Sequence, residues 1–132
     1  MSRIPAAAAL YRQLGWSPGR AGELVWLRTG NTVDALALPR PLGERTLRLL
    51  AAESPLFEVT DPAQPRWVFL SRPARRPVQA LAELGVEHIT GGRTVDLPPS
   101  RFGETRLVWL VAPTTPLPPF MTVVDAIIQS AA

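Results

Sequence analysis

Apolar and polar residues alternate along Glu23 to Arg28 (ELVWLR), and that period of two predicts a strand. Val33 to Leu38 (VDALAL) predicts a second strand, stopped by Pro39-Arg40-Pro41. The period then lengthens, and Gly43 to Glu53 reads as a helix with Leu42, Leu47 and Leu50 along one side. Leu56 to Thr60 and Arg66 to Ser71 predict a hairpin around Asp61-Pro62-Ala63-Gln64-Pro65. Pro77 fits the first turn of a helix whose apolar face is Val78, Leu81, Ala82 and Leu84, ended by Gly85. Glu87 to Thr90 and Arg93 to Leu97 read as a strand pair across Gly91-Gly92. Arg106 to Val111 is almost wholly apolar, which predicts a central strand buried on both sides. Phe120, Val123, Val124, Ile127 and Ile128 mark a closing amphipathic helix. At the other end, Ile4 to Leu14 is an Ala-rich helix or arm, closed by Gly15 and a turn at Ser17-Pro18-Gly19.

Strands interspersed with helices, without regular βα alternation, predict an α+β fold: a mainly antiparallel or mixed sheet with helices on one face. The 132 residues suit a single domain, with 1–22 as an N-terminal arm or short helix and 23–132 as the body. Hydrophobic residues at 46% and charged residues at 19% describe a globular chain, with no apolar run long enough to span a membrane. The first ten residues lack the apolar stretch and cleavage pattern of a secretory leader, so a cytoplasmic protein without a membrane partner is expected. No cysteine is present and there is one histidine, which excludes disulfides, zinc–thiolate sites and thiol nucleophiles and leaves no multi-histidine metal site.

All 14 basic residues are arginine, against 11 acids, for a net charge of +3. That balance permits a nucleic-acid partner without requiring one, and a GC-rich coding bias would produce the same arginine and proline usage. Gly91-Gly92 reads as a tight turn, matching neither phosphate-loop pattern. His88 reads as a half-buried strand residue, since no GxSxG nucleophile elbow accompanies it. Two-metal phosphoryl chemistry needs carboxylates converging on one cation, and the chain has no DxD or DxE pair. Arg72, Arg75 and Arg76 (SRPARRP), with Arg93, Arg101 and Arg106, could form a phosphate-binding stripe interleaved with Trp67, Phe102 and Trp109. In Leu97 to Gly103 (LPPSRFG), two prolines set an extended kink and Ser100 could cap a backbone or bind an anion.

The run Gly85 to Trp109, GVEHITGGRTVDLPPSRFGETRLVW, resembles the late segment of the archaeo-eukaryotic-type primase–polymerase domain of bacterial bifunctional primase/polymerase proteins. RTGNTVDALALP is similar to the strand carrying that family's first acidic motif, and PRWVFLS to the strand carrying its catalytic histidine. The resemblance implies an RRM-like α+β core in a bacterial protein. It also places departures: Ala37 and Leu38-Pro39 occupy the first acidic motif with only Asp34 nearby, Trp67 stands at the histidine position, and Glu87 matches the third acid. Pro98, Pro99, Ser100, Gly103 and Trp109 match its structural element.

One matching acid does not hold two metal ions against their hydration, so a catalytically silent relative is expected, with no cofactor and no metal and with Asp34 and Glu87 as vestiges. The first functional expectation is a DNA- or RNA-binding module using Arg72, Arg75, Arg76, Arg93, Ser100 and Arg101. The second is a module that docks a protein partner, or a second copy as a homodimer, through the old groove or a sheet edge, with Trp67 and Phe102 as contact aromatics. The third is a residual single-metal enzyme built on Asp34 and Glu87.

Overall fold

The computed structural model describes residues 3–50 and 54–132. Helix α1 (Ile4–Gln13) leads into strands β1 (Gly19–Ala21), β2 (Leu24–Arg28) and β3 (Asp34–Pro39), then helix α2 (Arg40–Leu49). Strands β4 (Leu56–Val59) and β5 (Arg66–Ser71), the short helix α3 (Ala80–Glu83) and strands β6 (Glu87–Ile89), β7 (Thr94–Asp96), β8 (Arg101–Phe102) and β9 (Thr105–Val111) follow, and helix α4 (Phe120–Ala131) closes the chain. Six strands form one sheet in the order β6-β3-β5-β4-β9-β8, and three form a second, β1-β2-β7, with every pairing antiparallel. The fold is α+β in one small domain.

Side-chain alternation sorts the core into two layers. Ala35 and Ala37 of β3, Val68 and Leu70 of β5 and Phe57 of β4 face the small sheet and α1, where Val25, Leu27, Val95, Ile4, Ala8 and Tyr11 complete one cluster. Leu36 and Leu38, Trp67 and Phe69, and Leu56 face the other way, onto Leu42 of α2, Leu81 of α3 and Phe120, Val123, Val124 and Ile127 of α4. Helices therefore cover both faces of the large sheet, where the sequence pattern placed them on one. The arm expected at 1–22 contributes Ile4, Ala8 and Tyr11 to the same core as the strands.

Five further expectations are corrected. The strands β6 and β7 flank Gly91-Gly92 but do not pair: β6 lies on β3 and β7 on β2, so the turn passes the chain from one sheet to the other. Both glycines have φ near the left-handed region, at 70° and 89°. Strand β9 is not central. Among the described residues its neighbour beyond β4 is the two-residue β8, and Val108 and Leu110 are 47% and 45% exposed. The strand buried on both sides is β3, whose Asp34 to Leu38 are all buried. The helix expected from Pro77 shortens to Ala80–Glu83, and Gly19, placed in a turn, opens β1. The predicted Gly43 to Glu53 helix lies earlier, over Arg40–Leu49, and its last three residues fall outside the described residues.

Candidate functional site: an arginine groove beside a buried carboxylate

Chain reversal at the end of β5 sets the site. Ser71 pairs with Asp34 at the start of β3, and the next residues, Arg72 to Val78, leave the sheet as a proline-bounded segment. They meet the N-terminus of α4, where Arg72 N–H donates to the Pro118 carbonyl at 2.8 Å. Between the two walls runs a groove of about 660 Å³, with Arg72, Arg75 and Arg76 on one side, Pro119, Phe120 and Met121 on the other, and Val78 among the apolar lining. All three arginines are exposed, and among the described residues none meets a carboxylate.

Below the groove lies Asp34, with 0% exposure. Its Oδ2 accepts from Ala74 N–H at 3.0 Å and from His88 Nε2–H at 2.7 Å, and its Oδ1 accepts from the Thr90 hydroxyl at 2.9 Å. A carboxylate removed from water is sustained by such donors. The His88 ring stacks on Phe120, with centroids 4.7 Å apart and planes at 28°.

The two acids matched to a metal site stand apart. Asp34 shares its sheet face with Leu36, on the α4 side, whereas Glu87 lies opposite Ala37 and shares the other face. Three residues along β3 also separate them, about 10 Å of strand. Glu87 is paired instead with Arg93, Oε2 to Nη2 at 2.6 Å. Among the described residues no group of three His, Asp or Glu side chains gathers as a metal set.

The arginines do not form one stripe. Register carries Arg66 across β5 to Val59 on β4 and on to Leu107 on β9, so Arg101 and Arg106 sit at the end of the sheet opposite Arg72. There, with Arg3 and Glu23, they line a second groove of about 520 Å³. Arg93, bound to Glu87, belongs to the face turned away from α4.

Ser100 is not available to an anion. It is 0% exposed, its Oγ accepts from Val25 N–H at 2.8 Å and donates to the Val25 carbonyl at 3.0 Å, and it thereby stitches the segment after β7 to β2. Trp67 is likewise a core residue at 8% exposure, packed under α2 so closely that a Cβ at Gly43 would stand 2.8 Å from the Trp67 Cβ. Its Nε1–H donates to Glu58 Oε1 at 3.0 Å. Phe102, by contrast, is 48% exposed beside the β8–β9 turn.

Sequence reasoning missed the partners of Asp34. The available signal was the pair His88 and Thr90, polar residues at i and i+2 in and just after a short strand, whose side chains share a face and can converge on one acceptor. It also missed the Tyr11 hydroxyl, which donates to the Pro98 carbonyl and accepts from Trp109 Nε1–H at 2.9 Å. Burial pushes this phenol up to about 12, against the lowering effect of the Trp109 hydrogen bond.

Among the described residues no helix is long and apolar enough to cross a membrane. Comparison with protein-family models, with curated proteins and with solved structures gives no match for this chain.

Proposed function

We propose that the chain is a non-catalytic, primase–polymerase-like binding module that grips nucleic-acid phosphates through Arg72, Arg75 and Arg76. The observation that carries this reading is the groove itself: three exposed guanidinium groups with no carboxylate partner among the described residues, set against an apolar wall of Pro119, Phe120 and Met121. A guanidinium fork suits phosphate oxygens, and an apolar wall suits the sugar or base attached to them. The position of Asp34 and Glu87 on opposite sheet faces supports the absence of a shared metal ion. The likeness to the primase–polymerase domain rests on the Gly85 to Trp109 run and is part of the proposal.

Binding of a fluorescent single-stranded oligonucleotide, followed by anisotropy, tests it. Three phosphate contacts give a slope of log K against log salt of about −2 on single strands. Arg75→Glu combined with Arg76→Glu is expected to abolish most of the binding and to flatten that slope, with little dependence on base sequence. No anisotropy change at micromolar protein in low salt defeats the proposal. Exposed Phe102 favours a protein partner as the second reading. Self-association seen by light scattering and lost in Phe102→Ser, without oligonucleotide binding, selects that reading instead.

A further inference from the structure

The backbone of the arginine segment has few ties of its own. Pro73 and Pro77 have no N–H, and among the described residues the amides of Arg75 and Arg76 have no hydrogen-bond partner. Two amides of the segment are tied: Arg72 N–H donates to the Pro118 carbonyl at 2.8 Å, and Ala74 N–H donates to the buried Asp34 carboxylate at 3.0 Å. Ala74 lies between Arg72 and Arg75, so its bond is the tie nearest the Arg75-Arg76 stretch. The same oxygen, Oδ2, also receives His88 Nε2–H, and the His88 ring lies against Phe120 of the opposite wall. Besides the direct Arg72–Pro118 bond, both sides of the groove thus meet at one side chain.

We propose that Asp34 is the positioning residue of the arginine groove. Through Ala74 N–H it holds the arginine wall, and through His88 and Phe120 it holds the facing wall, at the separation at which the guanidinium groups meet a phosphate chain. This rests on the phosphate-binding reading above. Asp34 itself is fully buried and does not line the groove.

Charge and position make opposite predictions for its removal. Asp34→Ala and Asp34→Asn each delete one negative charge next to an anion site, and electrostatics alone would tighten binding in both. Positioning predicts a split. The Asn carboxamide oxygen still accepts from Ala74 N–H and His88, and its NH₂ donates to the Thr90 oxygen, so the wall is kept. Ala offers no acceptor, and the wall beyond Arg72 is released.

The experiment combines oligonucleotide anisotropy on wild type, Asp34→Asn, Asp34→Ala and the Arg75→Glu/Arg76→Glu double variant with amide hydrogen exchange. The expected result is affinity within about threefold of wild type for Asn and a loss of roughly tenfold or more for Ala, with a shallower salt slope. In wild type the Ala74 amide is expected to exchange at least roughly tenfold more slowly than its neighbours at Arg75 and Arg76, a measurement that needs no variant to fold. Equal exchange at the three amides overturns the proposal. So does a folded Asp34→Ala that binds as tightly as wild type while the double arginine variant does not, which leaves the phosphate-binding reading standing. Undiminished binding by the double variant removes that reading, and the positioning role with it.

Discussion

Replacing Ser100 by alanine separates a structural serine from an anion-binding one. Its Oγ is the partner of Val25 N–H at 2.8 Å and donates to the Val25 carbonyl at 3.0 Å. The two losses are unequal. The carbonyl keeps Leu97 N–H at 2.8 Å, but Val25 N–H points away from β1 and finds no substitute in a site with 0% exposure. Leaving a buried donor unsatisfied costs about 1–3 kcal/mol, and losing the second, shared bond adds about 0.5–1.5 kcal/mol. Removal of one oxygen leaves too little space for water to repair the deficit. The expected total is about 2–4 kcal/mol, which at the usual unfolding entropy per residue lowers Tm by about 7–14 °C for a chain of this length. Thermal and urea unfolding followed by circular dichroism measure it, with the urea m-value unchanged. A fall in Tm below about 2 °C refutes the argument. An unchanged Tm together with weakened oligonucleotide binding would return Ser100 to the ligand.

Two further outcomes follow from groups whose ionisation burial perturbs. Tyr11→Phe orphans the Pro98 carbonyl and Trp109 Nε1–H together, so a loss of about 2 kcal/mol is expected in urea unfolding, with a change in tryptophan emission; equal stability would show that water replaces the hydroxyl. Asp96, opposite Trp26 on β2, has its carboxyl raised above the ordinary 3.8 by burial. As pH rises from 3.8 through the folded-state value, the unfolded chain releases this proton first, so the side chain's contribution to stability falls and the penalty is complete above that value. Asp96→Asn is therefore expected to raise Tm at neutral pH and to lose that advantage well below pH 3.8, whereas an advantage that is constant with pH would assign the gain to packing.

Local pattern carried the elements and stopped short of their neighbours. Arg66–Ser71 is legible to the residue because a hairpin loop bounds one end and a proline the other, and Phe120–Ala131 because its apolar stripe begins just after a run of prolines. The apolar run in β9 misleads for a physical reason: Leu107 and Trp109 face the core while Val108 and Leu110 stand at a thinly covered edge, and composition alone does not distinguish a strand buried twice from one whose outer face is merely apolar. The turn at Gly91-Gly92 misleads in another way. Two strands joined by two residues normally pair, but here the intervening φ values redirect the chain and each strand finds an older neighbour. Trp67 and Ser100 share one error. A polar or aromatic residue in a suggestive segment says nothing about which face it occupies until register is known, and register placed both inside.

The same dependence on register governs charge. A net +3 spread evenly over 132 residues would be a weak field, and the total says little about any surface. In the fold four of the acids are engaged locally: Glu44 and Glu58 lie by Arg40, Glu87 pairs with Arg93, and Asp34 is buried beneath hydrogen-bond donors. Two arginine clusters stand at the ends of the large sheet, Arg72, Arg75 and Arg76 at one and Arg3, Arg101 and Arg106, with Glu23, at the other. Neighbouring guanidinium groups about 4 Å apart repel by only about 1 kcal/mol in water, so each cluster is tolerated while solvated. On the proposed reading, a phosphate chain entering the first groove would convert that repulsion into attraction and release counterions, with the apolar wall excluding water from one side. Arginine supply alone would thus make both ends attract anions. The backbone is held at both ends, Arg101 N–H donating to the Glu23 carbonyl at 3.1 Å and Arg106 N–H to the Thr60 hydroxyl at 3.1 Å. The second groove, however, carries the Glu23 carboxylate among its lining residues, whereas the first is lined by three arginines and no acid, which is why the double substitution Arg3→Glu/Arg106→Glu is expected to weaken oligonucleotide binding less than Arg75→Glu/Arg76→Glu. The same anisotropy titration checks this, and equal losses would mean that arginine charge at either end, and not the acid-free groove, is sufficient.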